Sequence, residues 1–177
     1  PGGRLTVSVP ITVGQLPVCH YYRVRERYVE MDHRPLYPFG HGLSYTSFEY
    51  GDLVIDKPSI DGNESATVSV EVTNTGEIPG DEVVQLYIRD ELSSVIRFNK
   101  QLKGFQRIML QPGETKRVGF EIGFDELCFY GPDGTWIVEP GEFTLMVGGD
   151  SAAPKAMGKL TVTGKVTGKV TDRGSFP

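Results

Sequence analysis

Short runs in which hydrophobic and polar residues alternate make up most of the chain after residue 45. In the clearest run Ala66, Val68, Val70 and Val72 are separated by polar residues, so these four side chains would share one face of a strand. A more apolar run at 83–88 suits a strand at the centre of a sheet, buried on both faces. Strands are predicted over 48–55, 66–72, 83–88, 102–110, 117–122, 136–138, 143–147 and 160–162.

Turn signals separate these runs and indicate the fold class. Pro112 and Gly113 occupy the two central positions of a favourable β-turn, and Pro132 and Gly134 mark a second one. Helix is predicted only at 124–127, as a single turn. Short strands joined by turns, with no long helical period, predict an all-β fold. We expect a fibronectin type III-like (immunoglobulin-like) antiparallel β-sandwich.

Residues 1–44 do not follow this pattern and are predicted to form an extended N-terminal arm. Leu5, Val7 and Val9 alternate with polar residues, which predicts one short strand. The stretch 35–43 holds two prolines and two glycines in nine residues, a density that no regular element tolerates. Its aromatic residues would be costly to leave in water, so we expect it to pack against another surface. The predicted divisions are a terminal strand and connecting arm over 1–44, a β-sandwich over 45–163 and a flexible tail over 164–177.

Composition and charge exclude two classes of partner. The net charge is -5 and the pI about 5.2, with no dense basic block, so no nucleic acid partner is predicted. No apolar run approaches the roughly 18 residues that span a bilayer, so no membrane partner is predicted either. The chain begins at Pro1 without an initiator methionine, and we therefore expect its natural start to lie upstream. The compartment, cytoplasmic or secreted/periplasmic, stays open.

The residues that commonly carry chemistry form no recognisable constellation. His20, His33 and His41 match no zinc-ligand spacing, so no metal and no cofactor are predicted. Cys19 and Cys128 lie far apart, which allows one long-range disulfide but favours two buried free thiols. The acidic residues of the sandwich lie at strand ends or turns, where solvated charge is expected. They are Asp81, Glu82, Asp90, Glu91, Asp125, Glu126 and Glu139.

The most specific motif is the segment 35–46, which has the sequence PLYPFGHGLSYT. Further motifs lie before it at 3–5, 8–10 and 13–17, and after it at 72–76, 84–87, 101–105, 110–115 and 139–143. With these motifs the chain resembles the C-terminal part of glycoside hydrolase family 3, the β-glucosidases and β-xylosidases. The part that it resembles comprises the end of an α/β sandwich domain and a fibronectin type III-like domain.

The resemblance implies a retaining exo-β-glycosidase that removes terminal β-D-glucosyl or related residues, with this part as an accessory and stabilising domain. The catalytic carboxylates of the family belong to preceding domains, so no catalytic residue is assigned here, and the chain alone should be inactive. The implied partners are the preceding catalytic domains and the oligosaccharide substrate. Arg25, Arg27 and Tyr28 lie in the loop between domains and are interpreted as substrate-proximal residues.

Two other functions are compatible with the sequence. A carbohydrate-binding module would display aromatic rings for stacking on sugars, and Trp136, Tyr130 and Tyr87 are its candidates. Core packing explains these three residues better. A structural interaction domain would instead mediate protein contacts, including those of a homodimer.

Overall fold

The computed structural model describes residues 1–20 and 34–170, in which the alternating runs form strands. The strands are β1 (Phe48–Tyr50), β2 (Val54–Ile55), β3 (Ser59–Ile60), β4 (Ala66–Asn74), β5 (Gly80–Asp90), β6 (Gln101–Leu110), β7 (Thr115–Ile122), β8 (Phe129–Tyr130), β9 (Trp136–Val138), β10 (Gly141–Gly148), β11 (Ala156–Val162) and β12 (Val166–Gly168). One helical turn, α1, spans Phe124–Leu127 as predicted, and a 3₁₀ turn spans Val13–Gln15. Within the described ranges no helix is long and apolar enough to cross a bilayer.

The first sheet is built around β4. This strand pairs antiparallel with β7 along one edge and with β1 and β2 along the other. Its inward residues Val68, Val70 and Val72 are at most 1% exposed, and the residues between them are half-buried or exposed. The alternation that the sequence predicts over 66–72 is therefore confirmed, because successive side chains of a strand point to opposite faces.

The second sheet contains five strands in the order β3-β11-β10-β5-β6. Its neighbours are antiparallel except β3 and β11, which pair in parallel at Ser59 and Ile60. The interior strand β5 is buried on both faces over 84–88, as its apolar sequence predicts. Leu86 and other residues of one face enter the core between the two sheets. The prediction of a fibronectin type III-like antiparallel β-sandwich is thus confirmed.

The outer edges of β6 and β7 lie side by side, where the ladder hydrogen bonds of both sheets end. The amide Nε2 of Gln106 donates to the carbonyl oxygen of Gly119 at 2.6 Å, and Nζ of Lys116 donates to that of Met109 at 2.7 Å. These side chains satisfy backbone acceptors that an unprotected edge would present to another chain. The two sheets are therefore joined at this edge through side chains.

A small third sheet, in the order β12-β9-β8, lies at one end of the sandwich. Strand β12 runs antiparallel to β9, with Val166 opposite Val138 and Gly168 opposite Trp136. The prediction of a flexible tail from residue 164 is therefore wrong at 166–168. The sequence there is small and polar, but the free edge of β9 supplies hydrogen-bond partners that do not depend on side-chain type.

Residues 5–9 do not form the predicted strand. Val9 pairs through a single antiparallel bridge with Tyr37. The N–H of Leu5 donates to the carbonyl oxygen of His41 at 2.8 Å, and the N–H of Gly40 donates to that of Leu5 at 2.8 Å. The two described parts of the arm thus hold each other through isolated backbone bonds. A strand requires a continuous ladder, and the described residues provide none beside 5–9.

Candidate functional site: the junction of arm and sandwich

The outer face of β5 is covered by the arm. Residues at odd-numbered positions of this strand point away from the core, yet Gln85 and Tyr87 are only 3% and 2% exposed. They are buried by Phe39 and Gly40 of the arm and by the residues that follow β10. We call this contact region the junction. It holds the longest series of buried polar contacts between the arm and the sandwich, and is the candidate functional site.

Gln85 is the polar centre of the junction. Its Nε2 donates to the carbonyl oxygens of Gly40 at 3.3 Å and Gly149 at 2.5 Å, while its Oε1 accepts from the Tyr87 hydroxyl at 2.5 Å. Gly40 has a φ of 82°, and a Cβ on it would lie 2.2 Å from Oε1 of Gln85. Only glycine fits there, because it tolerates this backbone conformation and leaves room for the amide.

Three rings pack together beside this glutamine. The imidazole of His20 stacks on Phe39 with ring centroids 4.0 Å apart, and Tyr87 meets both rings edge-on at 6.1 and 6.5 Å. Burial, assisted by the nearby ammonium of Lys100, lowers the pKa of His20 to about 4. Burial also raises the pKa of the Tyr87 phenol. His20 is therefore neutral at pH 7, and its ring acts as an apolar packing surface.

An ion pair anchors the first residues of the arm at the N-terminal end of β5. Arg4 donates to Oε2 of Glu82 at 2.8 Å, with side chains only 11% and 6% exposed, and the Tyr50 hydroxyl donates to Oε1 at 3.1 Å. Burial, followed by the adjacent carboxylate of Glu82, raises the pKa of Tyr50. The expectation of a solvated charge is wrong for Glu82, because Arg4 and Tyr50 satisfy its carboxylate in a buried position.

A second buried ion pair lies at the opposite end of the sandwich. Arg97 donates to Oδ2 of Asp90 at 3.0 Å, with side chains 10% and 4% exposed, and its guanidinium lies 4.5 Å above the Phe129 ring. Burial raises the pKa of Asp90 and lowers that of Arg97, and each charge opposes the effect on the other. Solvated charge was the wrong expectation for Asp90 too. The pair ties the loop between β5 and β6 to the third sheet.

Three more of these acidic residues have structural partners. Asp81 pairs with Arg107 at the surface, and Glu126 accepts the N–H of Gly123 before α1 at 2.9 Å. Glu139 accepts the hydroxyl and the N–H of Ser94 at 2.7 and 2.9 Å. Across residues 1–20 and 34–170, no three His, Cys, Asp or Glu side chains are placed to hold a metal ion.

The remaining candidates of the sequence have separate locations. Cys19 and Cys128 are free thiols, as favoured from their spacing, but only Cys128 is buried and Cys19 is half-buried. Arg25, Arg27 and Tyr28, interpreted as substrate-proximal, lie outside the described residues.

The three candidate sugar-binding aromatics divide into two groups. Tyr87 is buried in the junction and has no face for a ligand. Tyr130 and Trp136 are 61% and 39% exposed, so core packing is the wrong explanation for them. Their rings meet edge-on with centroids 5.4 Å apart.

The described part of the arm exposes many large hydrophobic residues. Seven of them are more than 40% exposed, with Val13 at 81%. They are Val7, Ile11, Val13, Leu16, Leu36, Tyr37 and Leu43. The arm is thus bound to the sandwich by polar and aromatic contacts and also leaves large apolar side chains in contact with solvent.

Sequence reasoning did not find the residues that build the junction. Arg4 and Glu82 are 78 positions apart, and neither belongs to a motif that specifies a pair. One available signal is the start of β5, where Glu82 directly precedes the mostly apolar run 83–88. If such a strand buries the acidic residue that borders it, the carboxylate needs a partner.

Comparison with known proteins identifies the sandwich. The family model for the fibronectin type III-like domain matches residues 82–151. A β-xylosidase of Formosa agariphila is 54% identical over 159 residues, and a periplasmic β-glucosidase of Salmonella typhimurium is 40% identical over 168 residues. These matches include 86% and 88% of the chain. The chain spans 22% of the length of each of these curated relatives.

The solved structures give the same result. A β-glucosidase from Erythrobacter marinus superposes with a TM-score of 0.88 at 45% identity, over 92% of this chain and 22% of that one. A β-glucosidase from Listeria innocua, solved in complex with glucose, superposes with a TM-score of 0.86 at 32% identity. The chain therefore belongs to glycoside hydrolase family 3 and corresponds to the C-terminal part of its β-glucosidases and β-xylosidases, with the fibronectin type III-like domain as its sandwich.

Proposed function

We propose that the chain is the C-terminal accessory and stabilising domain of a retaining exo-β-glycosidase, which hydrolyses terminal β-D-glucosyl or β-D-xylosyl residues. The relatives named β-xylosidase and β-glucosidase support this activity, and the chain spans 22% of their length. The reacting carboxylates would belong to the preceding domains. The role of this chain would then be to hold those domains in place.

The exposed apolar residues of the arm are the observation that carries the proposal. The arm is fixed to the sandwich by the Arg4–Glu82 ion pair and by Gly40 against Gln85. Its described part leaves seven large hydrophobic residues exposed, and burial of each stabilises by about 1–3 kcal/mol. Extensive exposed apolar surface marks contact surfaces. The preceding catalytic domains of the same protein are the partner that best fits this surface.

One substitution compared in two molecules tests the docking. Val13→Asp places a charge at a position that is 81% exposed here, so the 177-residue chain should keep its Tm. In the full-length enzyme the same charge would be buried in the domain contact, and we expect a loss of about 2–4 kcal/mol. Leu92→Asp, at a position equally 81% exposed at the other end of the sandwich, is the control in both molecules. Equal Tm changes for the two substitutions in the full-length enzyme would contradict the proposal.

The activity needs its own test. The full-length protein, isolated with an antibody against this chain, should hydrolyse aryl β-glucosides or aryl β-xylosides with retention at the anomeric carbon. NMR of the first-formed sugar anomer measures the stereochemistry. If both aryl glycosides are hydrolysed, the two values of kcat/KM rank the two sugars as substrates. An isolated protein with neither activity would contradict the proposed reaction.

Arg25, Arg27 and Tyr28 stay the proposed substrate-proximal residues. Alanine substitution of each in the full-length enzyme should raise KM or lower kcat for the preferred aryl glycoside. Unchanged kinetic constants in all three variants would remove this assignment. A homodimer likewise stays a proposal, and sedimentation of the chain at several concentrations tests it.

A further inference from the structure

The hairpin of β8 and β9 has one buried and one exposed aromatic face. Phe129 and Ile137 lie opposite each other and are 7% and 5% exposed, on the side that Arg97 covers. On the other side Tyr130 and Trp136 form the next cross-strand pair, with rings at 71° to each other. The exposed pair is not needed to fill the core.

Strand β12 borders this exposed face. Gly168 of β12 is the cross-strand partner of Trp136 on its other side. A Cβ on Gly168 would lie 2.9 Å from the ring of Phe124, which is partly buried and packs against the core. The exposed face therefore consists of the rings of Tyr130 and Trp136. We call these two residues the aromatic strip.

The aromatic strip and the junction lie at opposite ends of the sandwich. Strand β10 begins at Gly141, shortly after the hairpin, and ends at Gly148, next to the junction residue Gly149. Eight residues of extended strand separate the two ends by about 25 Å. The described part of the arm therefore leaves the strip uncovered, and domains that dock on the arm approach from the other end.

The size and charge of the strip suit a sugar better than a protein. The exposed portions of Tyr130 and Trp136 amount to roughly 200 Å². A stable protein interface needs about 800 Å² on each partner. The hairpin from Phe129 to Val138 contains one acidic residue, Asp133, and no cation, whereas Lys165 and Lys169 flank β12. The charges near the strip are therefore of both signs, which favours a neutral ligand over an anionic polymer.

We propose that the aromatic strip binds a neutral β-linked polysaccharide chain, whose pyranose rings stack on Trp136 and Tyr130. Pyranose rings present apolar C–H faces that pack on aromatic rings, and their hydroxyls leave the edges hydrated. The choice of β-linked chains rests on the proposed glycosidase function. Binding at the strip would hold the enzyme on the polymer whose ends the catalytic domains process.

The first test uses the only tryptophan of the chain as the reporter. Trp136 is 39% exposed, so stacking of a sugar ring should shift its fluorescence emission to shorter wavelength. We expect a saturable shift on titration of the 177-residue chain with cellopentaose or xylopentaose, and none with maltopentaose, whose linkages are α. An unchanged spectrum up to 10 mM, on the order of the weakest useful sugar affinities, would overturn the proposal.

The second test uses variants in native gels that contain soluble β-glucan or xylan. Because the net charge is -5, the chain migrates to the anode, and binding to the embedded polymer retards it. Trp136→Ala and Tyr130→Ala should each weaken the retardation about 2- to 10-fold. Tyr45→Ala, which removes a ring that is 81% exposed elsewhere, should change nothing. Trp136→Phe should retain most of the retardation, which separates loss of stacking from loss of folding.

Equal retardation of the wild type, Trp136→Ala and Tyr130→Ala would overturn the proposal even if some binding occurs. Both tests measure binding without hydrolysis. A negative binding result at the strip therefore does not affect the proposed glycosidase function. Likewise, absence of hydrolysis by the full-length protein would not affect the binding results.

Discussion

Gly40 is a residue of the arm at which the sandwich leaves no room for a side chain. Gly40→Ala would place a methyl group 2.2 Å from Oε1 of Gln85 and 2.9 Å from the Tyr87 hydroxyl, at a φ of 82°. We expect a loss of about 2–4 kcal/mol, since backbone strain and displacement of a buried hydrogen-bonded amide add together. Chemical denaturation of the chain measures it.

Two glycines separate the components of that loss. Gly113 has a φ of 73° and open space around it, so Gly113→Ala reports the backbone component alone, about 1 kcal/mol. Gly3 has neither a positive φ nor a neighbour within 4 Å, and Gly3→Ala should be neutral. A Gly40→Ala variant no less stable than Gly113→Ala would contradict the close contact at the junction.

His20 makes the stability of the junction depend on pH. The pKa of an ordinary histidine is 6.5, and burial lowers that of His20 to about 4 in the folded protein. Between these values the unfolded chain binds more protons, so the free energy of unfolding rises with pH. The contribution is complete above pH 6.5 and is lost as the pH falls towards 4. Because the ring is only half-buried, we expect about 1–2 kcal/mol.

Comparison of the wild type with His20→Phe isolates this effect. Denaturation at several pH values from 4 to 7.5 should show that the wild type loses stability relative to His20→Phe as the solution becomes acidic. Phenylalanine keeps the stacking on Phe39 but cannot bind a proton. A difference that is constant over this range would show that His20 is not the titrating group.

At the scale of elements, one ion pair fastens the arm to β5. Glu82→Gln leaves the guanidinium of Arg4 buried without a countercharge, and we expect a loss of about 3 kcal/mol. Hydrogen exchange at the N–H groups of Leu5 and Gly40, which are bonded within the arm, should accelerate. The control is Asp81→Asn, which breaks a pair whose arginine is 62% exposed and should cost below about 1 kcal/mol. Equal effects of the two substitutions would count against the anchor.

Strand β12 predicts where the sandwich can be shortened. A chain that ends at residue 163 lacks β12 and exposes the edge of β9, whereas a chain that ends at residue 170 keeps it. We expect the shorter chain to melt several degrees lower, since it loses the ladder to β9 and the cover over Phe124. Identical melting temperatures would show that the pairing contributes nothing to stability.

The strands that the sequence predicts correctly have patterns contained in their own residues. Strand β4 alternates and the middle of β5 is mostly apolar, and both are confirmed. The errors occur where pairing depends on a remote edge. The run 48–55 splits into β1 and β2, which pair separately with opposite parts of β4. Residues 166–168 become a strand because β9 offers a partner.

At the scale of the whole molecule, family motifs gave the fold and the position of the chain within longer enzymes, and the comparisons support both. The chemistry of the junction could not be predicted in this way. The partners of Glu82 come from the arm and from the other sheet, and only the assembled sandwich brings Arg4 and Tyr50 to one carboxylate. The exposure of Trp136 also depends on the assembled fold. Its cross-strand neighbour Gly168 comes from a distant part of the sequence and has no side chain to cover the ring.

The junction also has a consequence for the order of folding. The carbonyl oxygen of Phe39 accepts a hydrogen bond from the N–H of Ser151, and that of Gly40 accepts one from the amide of Gln85. The position of the arm therefore depends on β5 and on the loop after β10. Those two sites come together only when β10 pairs with β5. The arm is synthesised first but can dock only after the last long strands have formed. Its aromatic and aliphatic residues therefore stay exposed through much of folding, and in that interval the chain is most prone to aggregate.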